Sequence, residues 1–317
     1  MQRFLLKSIL QLIPTLFIAS ILIFAIITLS PGDPAQEMLG FEATPAQLAA
    51  ENKALGLDKP VVVRYFIWLS NVAHLNFGYS VINGQPVITL IAEAFPKTVQ
   101  LAVISLFVSV VGGFILGVLS ALKPNSKLDS IITFFISLGL AIPGFWLGIL
   151  LILLFSVSLH VLPPSGTGQL EGSYILNIKY LIMPVVCISV PQIAVFARYV
   201  RSTMIDVLST DYIRTARAKG LFEWQVIDRH ALRNAMIPVI TIIGIQFGRL
   251  LAGVVVIEAV FAYSGIGQLI LVAILDKDYP VVQASLMLVV TIFIIVNLLV
   301  DLSYGFLDPR IRVARGY

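Results

Sequence analysis

Six stretches of this chain are nearly free of charge and long enough to cross a bilayer as helices, which limits the fold more than any other feature: 8–32, 98–122, 130–157, 180–197, 234–257 and 279–300. A crossing takes about 20 apolar residues, because roughly 30 Å of hydrocarbon is covered at about 1.5 Å per residue. Only Arg249 interrupts the fifth stretch. Across 317 residues, 58% are hydrophobic and 12% charged, whereas a soluble domain carries about a quarter charged residues. An all-α integral membrane protein with six transmembrane helices is expected. The first stretch follows Arg3 and Lys7, as in a secretory signal. Its apolar run is too long for one and no small-residue cleavage site follows, so a retained anchor helix is predicted.

Orientation follows from the basic residues, since Lys and Arg near span ends favour the cytoplasm. With the N-terminus inside, the inner segments hold fourteen: Arg3, Lys7, Lys123, Lys127, Arg198, Arg201, Arg214, Arg217, Lys219, Arg229, Arg233, Arg310, Arg312 and Arg315. The outer segments hold six: Lys53, Lys59, Arg64, Lys97, Lys179 and Lys277. Both termini are therefore expected in the cytoplasm, with residues 1–8 as a cytoplasmic N-terminus and 9–317 as one transmembrane domain. The net charge of +4 is a topology signal and does not point to nucleic acid. The single cysteine, Cys187, lies within a span, which leaves no disulfide and no thiolate cluster inside one chain.

Two segments between spans exceed what a connector needs. The outer insert 31–97 reads as an extracytoplasmic helical cap: Thr44-Pro45 starts a helix, Gly56 stops it, Pro60 opens a second run to Ala73, and Pro86–Phe95 forms a third ending before Pro96. The cytoplasmic loop 198–236 reads as two helices, Asp206–Lys219 and Phe222–Met236, with Gly220 supplying the bend and Pro238 the stop. Ile205, Leu208 and Tyr212 share one face of the first. Ala216, Ala218 and Gly220 leave room for close approach by another protein. From these residues alone, a basic amphipathic pair lying on anionic lipid fits equally.

The chain resembles the membrane subunits of ATP-binding-cassette importers, in particular the peptide and nickel permease family. The resemblance rests on DYIRTARAKGL (211–221), HALRNAMIPVIT (230–241), VVVIEAVFAYSGIGQLI (254–270), DYPVVQ (278–283) and DPRIR (308–312). It also rests on SPGDPA (30–35), GLDKP (56–60) and PGFWLGILLILLFSVSLHVLPPSG (143–166). The general coupling pattern of such subunits is Glu-Ala-Ala, three residues, Gly, nine residues, Ile-x-Leu-Pro. Only Ala216, Gly220 and Leu232 fit it, and the Arg-Thr-Ala-Arg-Ala-Lys-Gly form resembles the peptide and nickel branch. Tyr263-Ser264-Gly265 departs from that branch's usual Trp-Pro-Gly.

The resemblance implies a bacterial inner-membrane permease forming half of a translocation pore. It implies a homologous second permease, two cytoplasmic ATP-binding subunits that carry ATP and Mg, and an extracytoplasmic solute-binding protein. Asp211, Arg214, Thr215, Ala216, Arg217, Ala218, Lys219, Gly220 and Leu221 then form a cytoplasmic coupling helix docked on the ATPase. Di- or oligopeptides are the expected cargo, with glutathione or nickel chelates as alternatives. The sequence itself holds no GxxxxGK[ST], no HExxH and no GxSxG, so no catalytic apparatus and no cofactor are expected in this chain. Nor is a metal site, since His74, His160 and His230 lie far apart.

Arg249, costly inside a span, marks either the translocation path or a structural ion pair. Glu258 and Asp301 read as solvated span ends. Gly112, Gly113 and Gly117 read as a helix-packing surface. The competing class, an ion-gradient secondary transporter, calls for mid-membrane carboxylates, and the spans carry none well inside.

Overall fold

The computed structural model describes residues 2–29, 43–54, 56–168 and 178–307. The SPGDPA and DPRIR motifs and the Asp301 side chain lie outside the described residues. The described chain is helical, and its only pairing of extended backbone is a bridge between Tyr79 and Pro86. In order come α1 (Gln2–Thr28), α2 (Pro45–Ala54), α3 (Val61–Ala73), α4 (Val87–Leu122), α5 (Lys127–Ala141), α6 (Gly144–Leu151), α7 (Ile178–Leu208), α8 (Asp211–Ala218), α9 (Arg233–Val260), α10 (Ile266–Leu275) and α11 (Tyr279–Leu307).

Four described helical stretches are long and apolar enough to cross a membrane: Val87–Leu122, Ile178–Leu208, Pro238–Val260 and Tyr279–Val300. The 130–157 window, expected as one span, is broken instead. Lys127–Ala141 and Gly144–Ser158 meet at 99°. The cause is local, because Pro143 disfavours helical backbone at the residue before it, and Ile142 is extended at φ −83°, ψ 122°. Beyond the break, α6 runs into the wider π-type turns of Ile152–Ser158.

Prolines elsewhere do not act as stops. The third helix expected to end before Pro96 is the start of the 36-residue α4, and α9 passes through Pro238. A missing N–H inside a membrane helix is tolerated where neighbouring groups satisfy the freed carbonyl.

The chain divides into two compact units, 1–97 with 265–295 and 98–264 with 296–317. In the first, Thr44 and Gln47 cap α2 reciprocally, with Gln47 Oε1 accepting from the Thr44 backbone N–H at 2.9 Å. Gly56 follows at φ +67°, as the sequence suggests. The apolar α3 lies against α1 through Tyr65, whose hydroxyl is 2.8 Å from Ser20 Oγ and whose ring sits 5.4 Å from that of Phe24. The same unit has a core of Val87, Ile91, Ile266, Ile270 and Val281. There the buried Asp278 accepts hydrogen bonds from Ser80 Oγ and from the Val81 N–H, the latter at 3.3 Å. The acid of the DYPVVQ motif thus fastens the turn before α4 to the turn before α11.

In the second unit α7 is central, with α5, α6 and α9 packed along it. Its core joins Leu101, Met183, Cys187, Leu250, Phe261 and Tyr263. Glu258, expected at a solvated end, is fully buried there, because α9 continues past it to Val260.

Candidate functional site

Two places in the second unit hold the residues that the sequence singles out. The first is the segment joining α7 to α9. The first of its two expected helices is split, with α7 running on to Leu208 and α8 beginning at Asp211. Ser209 and Thr210 divide them: the Ser209 hydroxyl donates to the Asp206 carbonyl at 2.7 Å and that of Thr210 to the Val207 carbonyl at 2.6 Å. Such side-chain bonds offer the backbone an alternative to the next helical turn. After α8, Gly220 adopts φ +79°, a left-handed conformation that favours glycine. A short turn at Glu223–Gln225 and π-type turns over Val226–Leu232 then lead directly into α9, so the second expected helix does not stop at Pro238.

The faces of α8 are distinct. Ile213 and Ala216 are buried, packed with Ala121, Val200, Met204 and Val226. Ala216 is therefore turned to the chain's own core, where a small side chain lets α8 lie close. Asp211, Arg214, Thr215, Arg217, Ala218, Lys219, Gly220 and Leu221 are exposed. Arg217 grips Glu223 across the Gly220 turn, with Nη2–Oε1 at 2.6 Å and Nε–Oε2 at 3.1 Å. The guanidinium holds the Glu223 carboxyl below its ordinary value, and the carboxylate raises the Arg217 value in turn. The stabilisation is present above the free glutamate range and is lost as pH falls through the lowered value. Both side chains are largely exposed, so it amounts to no more than about 1 kcal/mol.

Sequence reasoning passed over two neighbours. Phe222 and Trp224 are 70% and 60% exposed on a segment outside the spans, beside the polar face of α8. The available signal was a pair of aromatics directly after a turn glycine, outside any helical apolar stripe.

The second place surrounds Arg249. Where the α5–α6 break turns the chain, α6, α7 and α9 line an open-mouthed cavity of about 230 Å³, with Gly144, Cys187, Gln192, Arg249, Gly253 and Ile257 among its walls. Pro191 has no N–H, so the Cys187 carbonyl lacks its usual donor four residues on. A Cβ on Gly144 would lie 3.3 Å from that carbonyl oxygen. Arg249 is exposed and takes part in none of the ion pairs recorded among the described residues.

What this helical membrane protein does is shown by its similarity to known proteins. Residues 113–313 match the family described as "Binding-protein-dependent transport system inner membrane component", and residues 1–102 match its N-terminal companion. The chain belongs to this family of permease components. It is 41% identical to the "Di/tripeptide transport system permease protein DppB" of Pseudomonas aeruginosa, over 96% of this chain and 97% of that protein. It is 39% identical to the "Glutathione transport system permease protein GsiC" of Escherichia coli K12, over 98% and 99%. To the "Probable peptide ABC transporter permease protein y4tP" of Sinorhizobium fredii the identity is 38%, over 98% and 99%.

Among solved structures, a chain of the inward-facing MetNI methionine ABC transporter superposes with a TM-score of 0.57. The match covers 70% of this chain and 98% of that one at 19% identity, and it speaks for the fold. The protein is a permease of the peptide family of ATP-binding-cassette importers, a transport component and not an enzyme. That membership removes the secondary-transporter alternative.

Proposed function

We propose that this permease carries short peptides inward across the bacterial inner membrane and is driven through residues Asp211–Leu221. The observation behind the coupling role is the geometry of α8. It is a short helix with an apolar side seated on its own subunit, ending at a left-handed glycine, and flanked by exposed Phe222 and Trp224. A push on the exposed face is passed to α7 and α9 through buried contacts at Ile213 and Ala216, a rigid-body mode of switching. The driving partners are two cytoplasmic subunits that hold ATP and Mg. A second, related permease completes the pore, and an extracytoplasmic binding protein delivers the solute.

Peptide cargo is supported by the names of the relatives, and the 39% identity to GsiC supports glutathione as a second candidate. Arg249 belongs to the path that the solute takes. Six crossings are proposed, with the 31–97 insert outside and both termini in the cytoplasm. A reporter fused after Tyr317 should then be cytoplasmic and one inserted near Glu51 extracytoplasmic. Reporters on the same side would remove the six-crossing arrangement.

The coupling role is tested in vesicles holding the assembled importer, by measuring ATPase stimulation by peptide-loaded binding protein. In Gly220→Val a β-branched residue must adopt φ near +79°, at a cost on the order of 1–2 kcal/mol. A Cβ there meets no atom of this chain within 4 Å. The helices therefore persist while the turn and the aromatics beyond it move, and stimulation is expected to fall to the unstimulated level. Phe222→Ala with Trp224→Ala should release the ATPase subunits on purification, since a truncated aromatic anchor often costs 2 kcal/mol or more. Wild-type stimulation in both variants would reduce the segment to a basic hairpin on the lipid surface.

A further inference from the structure

We propose that the cavity at the α5–α6 break is a carboxylate subsite for the transported solute, with the Arg249 guanidinium as anion receptor and Gln192 beside it. The proposal rests on the peptide reading above and specifies which end of the solute this subunit holds.

No acidic side chain is among the residues lining the cavity, and its walls are mostly apolar. A cation in such surroundings is attracted to an anion more strongly than in water. A guanidinium also offers a planar fork that fits a carboxylate with two parallel bonds. Gln192 lines the same cavity, and its Oε1, which has no hydrogen-bond partner, is out of reach of solvent. A turn of that side chain toward the cavity would present it to a donor on the solute, which satisfies an atom that is costly to leave unbonded.

The C-terminal end of a peptide carries both complements, a carboxylate and, on the other side of one Cα, an amide N–H. The amino end carries a positive charge and is repelled. A single-residue end is also a sensible match to about 230 Å³, since a water molecule takes about 30 Å³ of liquid.

The test uses the assembled importer in phosphatidylcholine nanodiscs without binding protein. The probes are N-acetylalanine and N-acetylalaninamide, with affinity read by saturation-transfer NMR. Wild type should bind the acid at least about tenfold more tightly than the amide, the difference expected for a hydrogen bond to a charged group. Arg249→Gln should bind both as weakly as wild type binds the amide, and Arg249→Lys should fall between.

Equal affinity of wild type for acid and amide would overturn the proposal, as would unchanged acid binding in Arg249→Gln. Failure of both variants to assemble would make Arg249 a folding element and overturn it too. Loss of acid binding when phosphatidylglycerol replaces phosphatidylcholine would assign the guanidinium to a lipid phosphate, with the same consequence. Because binding is read without transport, a wild-type importer that takes up no dipeptide yet holds the acid through Arg249 would remove the peptide reading and leave the subsite. Dipeptide uptake without Arg249-dependent binding would do the reverse.

Discussion

Alanine at Gly117, and equally at Gly113, is expected to prevent stable packing of α4 on α7. A Cβ built on Gly117 lies 2.6 Å from Val200 Cβ and 2.7 Å from the Ala197 carbonyl oxygen. On Gly113 it lies 2.4 Å from Phe196 Cβ and 3.2 Å from the Ala197 nitrogen. These are backbone atoms and Cβ atoms, which no rotamer change can move, so the two helices must separate along their length. Overpacking of an ordinary core costs about 1–3 kcal/mol. Here the upper end or beyond applies, because separating the helices opens the packing around Phe196, Ala197 and Val200, all of them buried.

Gly112 supplies the contrast on the same helix. Its Cβ would meet Ile193 Cδ1 at 3.0 Å and Cγ1 at 3.1 Å, side-chain atoms that need give way by only a few tenths of an ångström; neither is backbone. Alanine also favours helix over glycine by up to about 1 kcal/mol, so Gly112→Ala should be near neutral. The measurement is the midpoint of thermal unfolding in detergent together with the yield of extracted protein. Equal midpoints for Gly112→Ala and Gly117→Ala would refute the close approach of the two helices.

That glycine surface was legible in the sequence, because three small residues in the charge-free stretch 98–122 have few other uses in a membrane. The apolar windows, the caps of α2 and the turn at Gly220 were legible for similar reasons: each depends on chemistry within a few residues. The failures share a different cause. Pro96, Pro143 and Pro238 look alike in sequence, yet α4 and α9 run through the first and third while the chain turns by 99° at the second. What separates them is tertiary: whether the neighbours let the helix continue, and whether something stands ready to pack against the broken end. At Pro143 that is α7, with Gly144 close to the Cys187 carbonyl.

The candidate sites divide in the same way. The segment 198–233 was visible as a charged island, but nothing local reveals that Ala216 faces inward and Phe222 outward. The company Arg249 keeps, Gln192 and Gly144 from two other helices, is likewise invisible at sequence separations of this size.

Arg201→Met should lower the stability of the second unit by about 3 kcal/mol, toward the lower bound for breaking a buried ion pair. Asp129 is its partner, with a side chain only 5% exposed. The Arg201 fork reaches both oxygens, at 2.8 Å from Nε and 2.7 Å from Nη2. Ser120 Oγ at the end of α4 also donates to the carboxylate. So does the Asn125 N–H, at 2.8 Å, from the turn between α4 and α5. The pair therefore ties α4, the turn, α5 and α7 together at the end of the helices next to the α8 segment.

Removing the guanidinium leaves a buried carboxylate held only by neutral donors, and its desolvation is no longer offset. The lower bound applies because the Arg201 side chain is 30% exposed, so water can enter where it stood. Asp129→Asn removes charge but keeps an acceptor, and the guanidinium it strands is partly solvated already. About half the effect is expected. The double variant Asp129→Asn with Arg201→Met should be less destabilised than the sum of the two, because neither leaves a charge behind for the other. Unfolding midpoints of the four proteins close the cycle. Strict additivity would mean that the two side chains contribute through their other neighbours and not through one another.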